Sequence, residues 1–103
     1  MATYIATARF TEQGLKGIHE TCQRAAAFKA AAKKLGVKIT GLYWTLGPFD
    51  GVLIFEAPDE ETATAVMLQM GMRGNVQTTT CRAFEASEMD KILGMIKSGG
   101  AKN

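Results

Sequence analysis

Histidine and tryptophan occur once each in this chain, cysteine and proline twice, and no CxxC, HExxH or clustered-carboxylate spacing appears anywhere. Those shortages exclude a zinc-ribbon or metalloprotease site and a disulfide framework, so neither a metal nor a cofactor is expected. An excess of one charge is missing too: 12 basic against 10 acidic residues leave +2. That balance gives no field that would draw the chain to nucleic acid or to a membrane surface. No run of eighteen apolar residues occurs, and Met1-Ala2-Thr3-Tyr4 lacks the basic, then apolar, start of an export signal. The expected location is therefore the cytoplasm. Cys22 and Cys81 fall in core-like patterns and are expected as buried, reduced thiols.

What remains is apolar residues in 47% of positions and charges in 21%, the composition of one globular domain, expected over residues 1–97 with a flexible tail at 98–103. "TYIATARF" (3–10) is rich in β-branched and aromatic residues and gives a first strand, with Thr11 placed to cap a following helix. Leu15, Ile18, Cys22, Ala25, Phe28, Ala32 and Leu35 step by three and four, predicting one continuous helix that ends at Gly36. "VKITGLYWTL" (37–46) and "GVLIFEA" (51–57) form a hairpin about Gly47-Pro48. Asp59 caps a second helix whose buried stripe is Ala63, Val66, Met67 and Met70. A fourth strand follows at 75–84. A short third helix comes next, with capping-box spacing over Ser87-Glu88-Met89-Asp90 and apolar Ile92, Leu93 and Ile96.

The order βαββαβ plus a terminal helix predicts an α+β, ferredoxin-like fold with a four-stranded antiparallel sheet and both main helices on one face. In the third strand, Val52, Leu53, Ile54 and Phe55 are apolar on both faces, whereas a sheet with one wet face alternates. Something must cover the second face. A second subunit packed sheet to sheet is the economical answer, the third helix the alternative, and a homodimer or higher homo-oligomer is expected.

"MATYIATARFTEQGLKGI", "GLYWTLGPFDGVLIFEAPDEETA" and "GNVQTTTCRAF" resemble, in that order, the three signature blocks of the GYD-domain family over roughly residues 1–90. The name motif corresponds here to Gly47, Phe49 and Asp50, with Phe49 standing in the place of the tyrosine and Pro48 before it. The resemblance implies the dimeric α/β-barrel arrangement and brings no catalytic residue with it.

Candidate site residues group around the hairpin. Phe49 and Asp50 offer an apolar wall beside one acceptor at the mouth of a cleft, or form only a turn. His19 lies beside Ile18 at the edge of the helical stripe and could face the same cleft; His19 and Asp50 are the two candidates for proton transfer. Tyr43 and Thr45 share a strand face, opposite to Trp44. Arg9 and Arg82, on strands one and four, would either pair with Glu56 and Asp50 or hold an anionic ligand. An RNA-binding function is disfavoured, because "GVLIFEAP" lacks the basic-aromatic pattern that base stacking requires. Two classes remain: a homo-oligomeric small-molecule-binding or regulatory module, and a cofactor-independent oxygenase or isomerase acting on a small aromatic or carbonyl compound.

Overall fold

β1 (Ala2–Phe10) alternates, and the alternation sorts its side chains: Tyr4 and Ala6 are buried while Ile5 and Arg9 are exposed. The computed structural model of the chain, which describes residues 1–100, places β1 in the interior of the sheet. β2 (Lys38–Trp44), β3 (Gly51–Ala57) and β4 (Val76–Ala83) complete an antiparallel sheet in the order β2-β3-β1-β4. This is the ferredoxin-like arrangement, and β3 occupies the span read from its sequence.

The stretch expected as one helix is broken. α1 (Glu12–Lys16) ends at Gly17, a 3-10 turn spans Ile18–Glu20, and α2 (Thr21–Lys34) follows. The break has a local cause: the Arg24 guanidinium reaches back and donates to the Gly17 carbonyl at 2.7 Å, satisfying an acceptor that a continuous helix would have used itself. The stripe is split with it. Phe28 and Ala32 are buried, but Leu15, Cys22 and Leu35 are exposed. α1 instead turns Gly14 inward, where a Cβ would stand 2.1 Å from the Asn75 carbonyl oxygen. No side chain fits at that approach, so only glycine lets α1 lie against the start of β4. Thr11 secures the same junction: its hydroxyl donates to the Gly74 carbonyl and accepts from the Gly14 N–H, and its own N–H donates to the Asn75 carbonyl.

α3 (Glu60–Met72) follows its prediction: Asp59 accepts from the Thr62 N–H at 2.7 Å, Ala63, Val66 and Met67 are buried, and Met70 is half-buried. With Phe28, Ala32 and Val37 these residues cover Tyr4, Phe55 and Ala57, and the Tyr4 and Phe55 rings stack at 5.3 Å.

α4 (Ala86–Gly100) starts earlier than expected. The carboxylate reaching back is Glu88, which accepts from the Glu85 N–H at 3.1 Å, so the cap sits at Glu85 rather than Ser87. The helix also runs into the segment expected as a flexible tail; residues 101–103 of that segment lie outside the described residues. It does not cover the sheet: Leu93 is 49% and Ile96 65% exposed, and the chain extends over 58 × 31 × 19 Å. Cys22 and Cys81, expected in the core, are both exposed, Cys22 on the outer side of α2 and Cys81 opposite Ile5 on the uncovered sheet face.

Gly14→Ala should destabilise the protein by about 1–3 kcal/mol in urea denaturation, as overpacking does. Gly71→Ala in the same experiment should stabilise it by roughly 0.5–1 kcal/mol, because nothing lies within 4 Å of a Cβ at Gly71. Equal effects of the two substitutions would contradict the Gly14–Asn75 approach.

Candidate functional site

Small side chains leave a gap under α2. Pairing of Trp44 with Gly51, Gly51 with Ala8 and Ala8 with Thr78 makes one row on the helix-covered face, and only its outermost member is large. Leu42, Leu53 and Ala6 form the next row. Above them α2 presents Thr21, Arg24, Ala25 and Phe28, spaced i, i+3, i+4, i+7 on one helical face. The result is a cleft of about 120 Å³, open on one side and lined also by Met70 of α3, by Arg73 at the C-cap of that helix, and by Asn75. Its bed is apolar. Trp44 is fixed at one wall, its indole N–H donating to the Thr21 hydroxyl at 3.1 Å.

The polar groups are few. Arg24 is half-buried and donates to the Gly17 and Gly14 carbonyls at 2.7 and 3.4 Å. Asp50 also lines the cleft, half-buried and tied on three counts to neighbouring backbone. Its Oδ2 accepts from the Phe10 N–H at 2.9 Å, its N–H donates to the Ala8 carbonyl at 2.8 Å, and its carbonyl accepts from the Thr45 N–H at 2.9 Å. The loop that Asp50 closes is further held by the Thr45 hydroxyl, which donates to the Phe49 carbonyl at 2.7 Å. Gly47 turns it with φ +143, a conformation that other residues rarely adopt. The Gly-Pro-Phe-Asp-Gly cluster is therefore a turn, and its aspartate doubles as a wall of the cleft.

The other expected residues are dispersed. Thr45 and Phe49 belong to the loop and do not line the cleft. Tyr43 does border the cleft, but its ring lies on the uncovered sheet face, over Gly41. His19 is exposed on the 3-10 turn and does not line the cleft. Arg9 and Arg82 are not neighbours: Arg9 pairs with Gln77 on the uncovered face, Arg82 with Tyr4 on the covered face at the other end of the sheet. Neither contacts Glu56 or Asp50 through an ion pair; Arg82 donates instead to Glu88 at 3.0 Å and to the Thr3 and Ala83 carbonyls. Its guanidinium lies 5.8 Å and 4.6 Å from the Tyr4 and Phe84 ring centroids, so it pins the start of α4 to the sheet. Arg24, Trp44 and Arg73 were the residues missed. The signal for Arg24 was present, a cation on the same helical face as Ala25 and Phe28. Among the described residues, no group of three or more His, Cys, Asp or Glu side chains could hold a metal, and no helix is long and apolar enough to cross a membrane.

A ferredoxin-like α+β domain with an apolar cleft between its sheet and α2 is the class these features define. The family model for the GYD domain matches residues 4–93, and the chain belongs to that family. It is 29% identical over 90 residues to a Thermus thermophilus protein named glutamine synthetase and cystathionine beta-lyase binding protein; the match covers 86% of this chain and 95% of that one. A crystal structure of a Thermus thermophilus protein superposes with a TM-score of 0.54 at 25% identity, covering 84% of this chain and 96% of the other.

Asp50→Ala should lower stability by about 1–3 kcal/mol in thermal or urea unfolding, the worth of a charge-assisted backbone hydrogen bond, and Asp50→Asn by less. Acid should loosen α4. The Glu85 N–H and then the Arg82 guanidinium hold the Glu88 carboxyl below its ordinary 4.5. A lowered folded pKa contributes stability that is complete above 4.5 and lost as pH falls through the folded value. Helicity followed by circular dichroism should fall over that window, and Glu88→Gln should flatten the fall.

Proposed function

We propose that this protein is a homo-oligomeric binding module that acts on metabolic enzymes by docking to them and carries a small-molecule cleft in each subunit. The observation that carries the oligomer is surface area. The chain exposes 7086 Å², whereas a compact monomer of its 11.1 kDa exposes about 5,700 Å². The excess, roughly 1,400 Å², is above the 800 Å² or so that one partner contributes to a standard interface. The radius of gyration agrees: 16.6 Å against about 13 Å for a compact chain of this length. Two apolar surfaces are available to such an interface. One is the uncovered sheet face with Ile5, Val52, Ile54 and Cys81, which suits a second sheet. The other is α4, whose Met89, Ile92, Leu93 and Ile96 follow a helical stripe with little of their own subunit beneath them. The name of the Thermus relative, an enzyme-binding protein, supports a protein partner for this chain as well.

Sedimentation equilibrium should give at least a dimer at micromolar concentration, and Ile54→Lys should give a folded monomer. Thiol labelling followed by mass spectrometry supplies the check on which face is covered. Cys22 should label rapidly in the native protein and Cys81 slowly, with Ile54→Lys making both fast. A wild-type monomer, or equal rapid labelling of both cysteines, would refute the sheet-face dimer.

A further inference from the structure

We infer that the cleft beneath α2 binds a small aromatic carboxylate. This rests on the cleft being a ligand site, as proposed above, and specifies the chemistry it takes. Size sets the first limit. The cavity of about 120 Å³ is slightly smaller than the engineered apolar cavity of about 150 Å³ that stays dry and takes up benzene. A single six-membered ring fits; a fused ring system would have to project through the open side.

Shape and lining select a flat ring. The bed is Ala6, Ala8 and Gly51, and the walls carry Trp44, Phe28 and Phe10, whose quadrupoles favour stacked or edge-on partners over aliphatic ones. Ala8 and Gly51 are directly paired, so the floor under the ring is made by backbone and one methyl group.

Charge selects the substituent. Two cations, Arg24 and Arg73, line the cleft against one carboxylate, Asp50. Among the described residues the ion pairs are Lys16 with Glu12 and Arg82 with Glu88, so neither cleft arginine is neutralised by a carboxylate. Arg24 has five N–H donors, and the Gly17 and Gly14 carbonyls engage its Nη1 and Nη2 while leaving further donor directions open. The Asp50 Oδ2 is engaged by the Phe10 N–H on its own side of the cleft. A carboxylate placed beside these arginines completes the charge balance, and Arg73 is exposed to water. The guanidinium of Arg24 is held in place by the Gly17 carbonyl before any ligand arrives, which lowers the ordering cost of binding.

Trp44 is the sole tryptophan and lines the cleft, so its fluorescence reports occupancy in the unaltered protein. The probes are benzoate, the neutral benzyl alcohol and the aliphatic acetate, each titrated at low and high salt. Benzoate should shift the emission with an affinity at least tenfold better than either of the others, weakening as salt rises. Arg73→Gln, at an exposed position, should cost benzoate about tenfold and leave benzyl alcohol unchanged. Ala8→Leu should abolish binding of both aromatics; should that variant fail to fold, Ala25→Leu fills the cleft from the helix side. Benzyl alcohol binding as well as benzoate would overturn the carboxylate and leave the cleft as an apolar site. Acetate matching benzoate would overturn the aromatic ring. No response to any probe, with both aromatics also failing to raise the melting temperature at millimolar concentration, would overturn this inference and the small-molecule cleft together, while leaving the sedimentation result to decide the oligomer.

Discussion

The register of β1 against its two neighbours is the constraint on which the rest depends. Ladder pairing with β3 and β4 puts Tyr4, Ala6 and Ala8 on the side of the helices and Ile5, Thr7 and Arg9 on the other. A slip of one residue would exchange the two sets. It would bury Arg9 under α2 and present Tyr4 to the outside. Two anchors hold the register at the end where the sheet is thinnest in side chains. Asp50 bonds the backbone of β1 at Ala8 and Phe10, and Thr11 bonds the backbone at Gly74 and Asn75.

From that register the two ends of the covered face acquire different characters. Around Tyr4, Phe55, Phe28 and Val66 the layers interdigitate, and Phe55 and Val66 are wholly inaccessible. Around Ala8, Gly51 and Thr78 the side chains are too short to reach α2, and the space stays open. An empty apolar space forfeits dispersion contacts and lowers stability. The packed end supplies the stability that lets the open end exist.

The opposite face and α4 are the surfaces on which the proposed association rests. Ile5, Val52 and Ile54 occupy one contiguous patch, since each is paired with or diagonal to the next across β1 and β3. α4 is joined to the body by Arg82, which binds Glu88 and lies over Tyr4 and Phe84. The helix beyond that joint carries its apolar stripe away from its own sheet. This GYD-domain chain exposes more surface than a compact monomer of its mass.

Local signals in the sequence determined the elements whose cause is local. β3 has its expected bounds because Gly51 and Pro58 flank an apolar β-branched run, and α3 has its expected cap because Asp59 needs only Thr62, three residues away. The element order led to the ferredoxin-like sheet, and the apolar alternation failure in "VLIF" marked the apolar second face that the helices leave uncovered. Contacts between distant residues determined the remainder. Gly14 faces inward because it meets Asn75, and helical periodicity carries no information about that approach. Arg9 and Arg82 looked adjacent because their strands are, but the pairing register sends one to each face and each end. The cleft itself is a sum of small residues from three strands under one helix. Each is unremarked in its own segment, and only the tertiary structure could bring their missing volumes into one place.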